Sequence, residues 1–287
     1  SPETAPSGAC VTPPPPPTSY DVFDVYKIER PQGQGTGPTL YVATTGADTN
    51  AGTEAAPLKT LTAAVAKVKP GGTIIMRAGT YVGAIVNSGY GTATQWVTLK
   101  SALGEKVIIQ GDARGRVHAT IYFYHDSCDE HAPPGSVCAS SYWRIQDVTI
   151  RGFNGGDGDS NAVKIDTQHV QVVNSVLCCA GPDVVKIVRT ANDAAIVNSE
   201  IYSDPTITTP FANSQGVDIT GADRVRVVGN NFHDLPDIAL YGKGNVREPI
   251  FAANRIKNTG YDTRDSFAGI MMGQQTDVNR LVDGPYE

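Results

Sequence analysis

Three charged residues stand at the same place in successive segments of this 287-residue sequence: Lys164 in NAVKID, Lys186 in DVVKIV and Asp218 in QGVDIT. Each sits between apolar or small residues that would face the other way in a strand with alternating faces. On adjacent strands the two lysines would be about 5 Å apart and would depress each other's pKa, one route to a neutral amine that can act as a base. Asp218, one strand further on, could orient Lys186. The other reading is a solvated cross-strand ladder with one salt bridge, in which an exposed pair contributes about 0–1 kcal/mol. On that geometry Lys186 is not a buried charge, and removing it leaves stability almost unchanged. Lys243 in YGKGN joins the candidate catalytic set, because its flanking glycines would admit a polymer closely or simply make a turn. Asp157, Asp159 and Asn161 in GGDGDSNAV have the spacing that opens a calcium loop. Ala162 and Gln168 then break the EF-hand pattern, which leaves a turn-borne Ca²⁺ site with Asp183, or else a solvated Asp-Gly turn. His233 in NNFHDLPD reads as a turn residue.

The elements that would hold these side chains repeat. NAVKID, DVVKIV, QGVDIT, DIALYG (237–242) and AGIMMG (268–273) align without gaps. Their inward columns are Val163, Val185, Val217, Ala239 and Ile270, then Ile165, Ile187, Ile219, Tyr241 and Met272; the outward column adds Leu240 and Met271 to the charged three. A second strand follows each of the first four segments: VQVVNSVL, AAIVNSEI, VRVVGNNF and PIFAANRI. Their closing apolar residues, with Ile150 one repeat earlier, are Leu177, Ile201, Phe232 and Ile256. Two places before each stands Ser175, Ser199, Asn230 or Asn254, a small polar column suited to a stacked turn. A period in the twenties built from short strands marks a solenoid. The LxxLxLxxN signature of leucine-rich repeats is missing, so the expected fold is all-β, a parallel β-helix in which each repeat is one coil.

A net charge of −6 and a pI near 5.4 argue against a nucleic-acid-binding protein. No apolar stretch reaches the roughly 18 residues needed to span a bilayer. Residues 1–37 are a Pro-, Ser- and Thr-rich tail with five consecutive prolines, a stiff spacer resembling the mature start of an exported protein. The β-helix domain is placed at 38–287. Cys128 and Cys138 bracket a polar loop, and a disulfide between them agrees with an oxidising compartment. His125 and His131 beside Cys128 offer a two-Cys, two-His metal set with no familiar spacing. Cys178 and Cys179 are read either as a packing thiol plus a partner for Cys10, or as a vicinal disulfide. The sequence has no N-x-[ST] sequon, which fits bacterial export to the medium or the cell surface.

Residues 40–82, LYVATTGADTNAGTEAAPLKTLTAAVAKVKPGGTIIMRAGTYV, resemble the entry segment of bacterial right-handed β-helix proteins of the pectate-lyase-like superfamily. Thr60 caps a short helix there whose Leu61, Ala64, Val65 and Val68 form one apolar stripe. Such a helix covers the open end of the solenoid and its first strand edge. The resemblance implies a right-handed coil and a carbohydrate-active protein. The carboxylate pairs of polygalacturonase-type hydrolases and pectin esterases have no counterpart here, since no Asp-Asp dipeptide occurs. Polysaccharide lyases neutralise a uronate carboxylate with Ca²⁺ or another cation and remove the proton beside it with Lys or Arg. Lys186, Lys164, Asp218 and Lys243 supply such parts, with an acidic polysaccharide as partner. The alternative is a non-catalytic adhesive or assembly-forming rod. At the far end, QQTDVNRLVDGPYE carries no capping helix, so either the natural chain continues or self-association covers the last coil.

Overall fold

Strand propensity and alternation build coils that stack by parallel pairing. The computed structural model describes residues 21–111, 119–125, 140–153, 160–188, 191–203, 215–260 and 269–273. Within them lie three parallel sheets of eight, seven and seven strands, and each strand inside a sheet pairs with the strand one coil before and one coil after it. The second sheet contains Asn161–Ile165, Val185–Val188, Val217–Thr220, Leu240–Lys243 and Ile270–Met272 in that order. The expected all-β parallel β-helix is the fold observed.

The inward residues make one continuous core running the length of the solenoid, from Leu40 and Val42 through Val163, Val185 and Val217 to Leu240. The helix Leu61–Lys67 covers the entry end as expected. The Thr60 hydroxyl caps it by accepting the Ala63 N–H at 3.1 Å, while Leu61, Ala64 and Val65 are buried.

Two details of the repeat differ from the sequence reading. Each coil has three strands, not two, because the presumed second strand breaks at a left-handed residue: Asn174 (φ 48°), Asn198 (φ 48°), Gly229 (φ 72°) and Ala253 (φ 54°). Asn and Gly tolerate that conformation, so VQVVNSVL becomes Gln168–Val173 plus Val176–Cys178. The polar column directly after the break is the stacked turn that was expected. The Ser175 N–H donates to Ser199 Oγ at 3.2 Å, the Ser199 N–H to Asn230 Oδ1 at 2.9 Å and the Asn230 N–H to Asn254 Oδ1 at 2.9 Å.

The second difference is a one-residue slip. Val217 pairs with Leu240, Asp218 with Tyr241 and Ile219 with Gly242. Leu240 is therefore an inward residue and Tyr241 an outward one, the reverse of the gapless alignment. Three positions separate Asp237 from Leu240 where two separate Gln215 from Val217, and that extra residue reverses the faces of Leu240 and Tyr241; the next strand keeps the expected phase, with Ile270 opposite Leu240 and Met271 opposite Tyr241.

Residues 21–30 lie on the solenoid. Ile28 packs with Val173, Ala195, Val197 and Val228 of the first sheet, with Val22, Phe23 and Tyr26 against them. Cys178 and Cys179, both buried, lie within disulfide-bonding distance of each other at a coil corner, in line with the vicinal reading. Cys10, Cys128, Cys138 and His131 fall outside the described residues.

Candidate active site

The second sheet brings the chemistry-bearing side chains together on its outer face. Parallel register sets Lys164 opposite Lys186, and Lys186 opposite Asp218, as the spacing predicts. Lys243 is the last residue of Leu240–Lys243 and not a residue beyond it; it pairs with Thr220 and points to the same outer face.

The expected exposure is wrong. Asp218 is fully buried, its carboxylate contacting the Lys186 ammonium and accepting from the Lys243 ammonium at 3.0 Å through the same oxygen. Lys186 also lies 3.3 Å from Asp183, the residue three before it. Side-chain exposure is 17% for Lys186, 10% for Lys243, 5% for Asp183 and nil for Asp218, so the two ammonium groups form the solvent side of the cluster. This is a buried two-carboxylate, two-ammonium network and not a solvated ladder. Its charges balance, which makes its burial tolerable.

Lys164 does not join the network. It is buried, with its ammonium 5.4 Å from the centre of the Tyr122 ring. The Tyr122 hydroxyl donates to Asp166 Oδ2 at 2.5 Å. The expected depression of Lys186 is overturned. Burial by itself favours a neutral Lys186, but Asp218 and Asp183 outweigh it and hold its pKa above the ordinary range. Asp183 is pushed up to about 7, chiefly by burial, with the two lysines opposing that shift. Burial acts on Asp218 in the same direction, yet Lys186 and Lys243 prevail and hold it below the usual carboxylate range. Asp218 thus keeps its charge, and Asp183 is the carboxyl that takes up a proton first.

Sequence reasoning missed a further column. Four successive strand segments of this sheet open on a buried polar residue: Asn161, Asp183, Gln215 and Asp237. The Asn161 amide donates to the Asp183 carbonyl at 2.7 Å, and the Val184 N–H donates to the Gln215 carbonyl at 2.8 Å. The signal was present as the first letter of NAVKID, DVVKIV, QGVDIT and DIALYG. His233 belongs to the strand Asn231–Leu235, not to a turn. It stacks on Tyr202 on the third sheet, with Glu200 and Asp234 on its two ring nitrogens.

Of the expected calcium set, Asp157 and Asp159 lie outside the described residues. Asp183, the remaining member, already faces an ammonium. Among the described residues no three His, Cys, Asp or Glu side chains are grouped to hold a metal. The Oδ1 atoms of Asn161, Asp183 and Asp218 are buried without a hydrogen-bond partner, so oxygen donors are present. The charge is not, because two ammonium groups already compensate both carboxylates. The described site does not fit a divalent ion while Lys186 is in place.

Three parallel sheets stacked coil on coil are the arrangement of a parallel β-helix protein. A family model described as "Pel9A-like, right handed beta helix region" matches residues 40–234, and the chain belongs to that family. The coil is right-handed accordingly. The crystal structure of pectate lyase Pel9A is similar with a TM-score of 0.59 at 17% identity, over 88% of this chain and 62% of that one. The structure titled as the complex of XylC with xylose is similar with a TM-score of 0.52 at 12% identity, over 77% of this chain and 62% of that one. At these identities the likeness concerns the fold. An uncharacterized protein of Bacillus subtilis (strain 168), YwoF, is 27% identical over 166 residues, 55% of this chain and 34% of its own length. The chain thus spans about a third of that relative and less than two thirds of either structure. No helix among the described residues is long and apolar enough to cross a membrane.

Proposed function

We propose that the chain is an exported carbohydrate-active protein that cleaves an acidic glycan by β-elimination. The observation that carries this is the pair of lysines, Lys186 and Lys243, forming the solvent side of a buried carboxylate pair on one β-helix face. The family membership and the Pel9A fold support it, and the name of that lyase suggests a pectate-like substrate.

The two lysines have different roles. Lys186 is held by two carboxylates, stays an ammonium and supplies positive charge toward a uronate carboxylate. Lys243 shares a single carboxylate oxygen and is the better-placed proton acceptor. It acts once its ammonium has released a proton to solvent, and the free amine then takes the proton from the carbon beside the carboxylate. The electron pair left behind forms a carbon–carbon double bond as the glycosidic oxygen departs and takes a proton from water. The product is an unsaturated uronate end that absorbs in the ultraviolet.

Screening pectate, alginate and glycosaminoglycans for that absorbance tests the reading. On a cleaved substrate Lys243→Ala should lower turnover by about a hundredfold or more, the usual contribution of a positioned acid–base group. Retention of full turnover would remove Lys243 from this role.

One observation favours a second reading, a non-catalytic binding rod. Asp218 and Lys164 are buried as deeply as core residues, as charged groups that serve stability alone would be. A wild type that binds an acidic glycan and releases no unsaturated product decides for it.

A further inference from the structure

Lyase chemistry on a uronate needs a cation at the carboxylate, and the described site carries one of its own. We infer that Lys186 is a built-in cation: its ammonium stands between Asp183 and Asp218 where a divalent metal would otherwise be held, so the site works without calcium.

Three observations carry this. The Lys186 ammonium contacts both carboxylates, at 3.3 Å from Asp183 and in direct contact with Asp218. It comes from the strand paired directly with the strand of Asp218, so the backbone register delivers it to that point. Both carboxylates keep a further oxygen in reserve, since Asp183 Oδ1 and Asp218 Oδ1 are buried and unpartnered among the described residues. Carboxylate oxygens suit Ca²⁺, and what excludes the ion is the ammonium already in place. Deleting that charge leaves two carboxylates facing a vacated position, with Lys243 still in contact with Asp218. The variant should then recruit a divalent ion to offset the buried negative charge.

What the cation does for a substrate rests on the lyase reading, but the binding test uses no substrate. Failure of one therefore leaves the other standing. Calcium chloride is titrated into the full chain by calorimetry and followed by thermal melting, for wild type, Lys186→Gln, Lys186→Arg and Lys186→Gln combined with Asp183→Asn. Wild type and Lys186→Arg should show no calcium-dependent shift in melting. Lys186→Gln should bind calcium at least about tenfold more tightly than wild type, toward the ~10⁻⁴–10⁻³ M range of extracellular calcium modules. Its melting temperature should rise as calcium is added. The double variant should lose that gain. If Lys186→Gln is unfolded without calcium, calcium should refold it, since metal binding then couples to folding. Calcium binding by wild type as tight as that of Lys186→Gln would overturn the inference. So would a Lys186→Gln chain that neither binds calcium nor is refolded by it.

Discussion

Two polar columns run along this solenoid, and they are built on opposite principles. At the corner after the first sheet, Ser175, Ser199, Asn230 and Asn254 are neutral, and each of the first three backbone N–H groups donates to the side chain of the next coil. On the outer face of the second sheet, Asp183, Lys186, Asp218 and Lys243 are charged, differ from coil to coil and leave carboxylate oxygens without partners. The first column is what stacking asks for, since the same small polar group in every coil satisfies the same backbone donor. The second serves no repeating need of the fold. It concentrates four charges where an ordinary coil would carry apolar or neutral side chains, which is where a functional site is expected to break local rules.

The comparison can be broken hardest at Asp218. Asp218→Ala removes the carboxylate shared by both lysines and leaves Asp183 as the sole counter-charge in a buried setting. Urea unfolding should show a loss of roughly 3–5 kcal/mol, the cost of an unpaired buried charge. A loss within the range of an exposed pair would restore the solvated-ladder reading.

The charged column should also respond to pH in a way the neutral one does not. Folded Asp183 keeps its proton up to about 7, whereas the unfolded chain releases it near 3.8. Between those values the folded state binds more protons, so this group makes stability fall as pH rises from about 4 to about 7. Asp218, held below the ordinary range, works in the opposite sense at lower pH: its contribution is present above about 3.8 and lost as pH falls further. Chemical denaturation across this window should show the falling component in the wild type and not in Asp183→Asn.

Smaller effects sharpen the neutral column. Asn230→Ala deprives the Ser199 N–H of its acceptor and removes the bond from the Asn230 amide to the Ile196 carbonyl. A loss of about 1–3 kcal/mol is expected, with no change in pH response. Smallest of all, Thr60→Ala removes the helix cap at the entry end and should lower stability by about 1 kcal/mol, read from the urea midpoint.

Much of this architecture was legible in the chain alone. The period in the twenties, the Val and Ile alternation and the Ser/Asn column fixed a parallel β-helix with strands around 161–166, 183–188 and 215–220. They did so because stacking repeats the same local demand in every coil. The same alternation aligned Lys164, Lys186 and Asp218 in consecutive coils, and Thr60 with its apolar stripe marked the capping helix. Pattern could not register the extra residue before Leu240, because one added position reverses the faces of Leu240 and Tyr241 while leaving composition unchanged. It also could not tell outward from exposed. A strand's period states which way Lys186 points, but not that Asp183, from the corner preceding its own strand, closes on the same ammonium. Whether an outward charge is solvated or buried depends on what the other coils bring against it. Three-dimensional packing decided that, and it turned an expected surface ladder with a neutral amine into a buried, charge-compensated site.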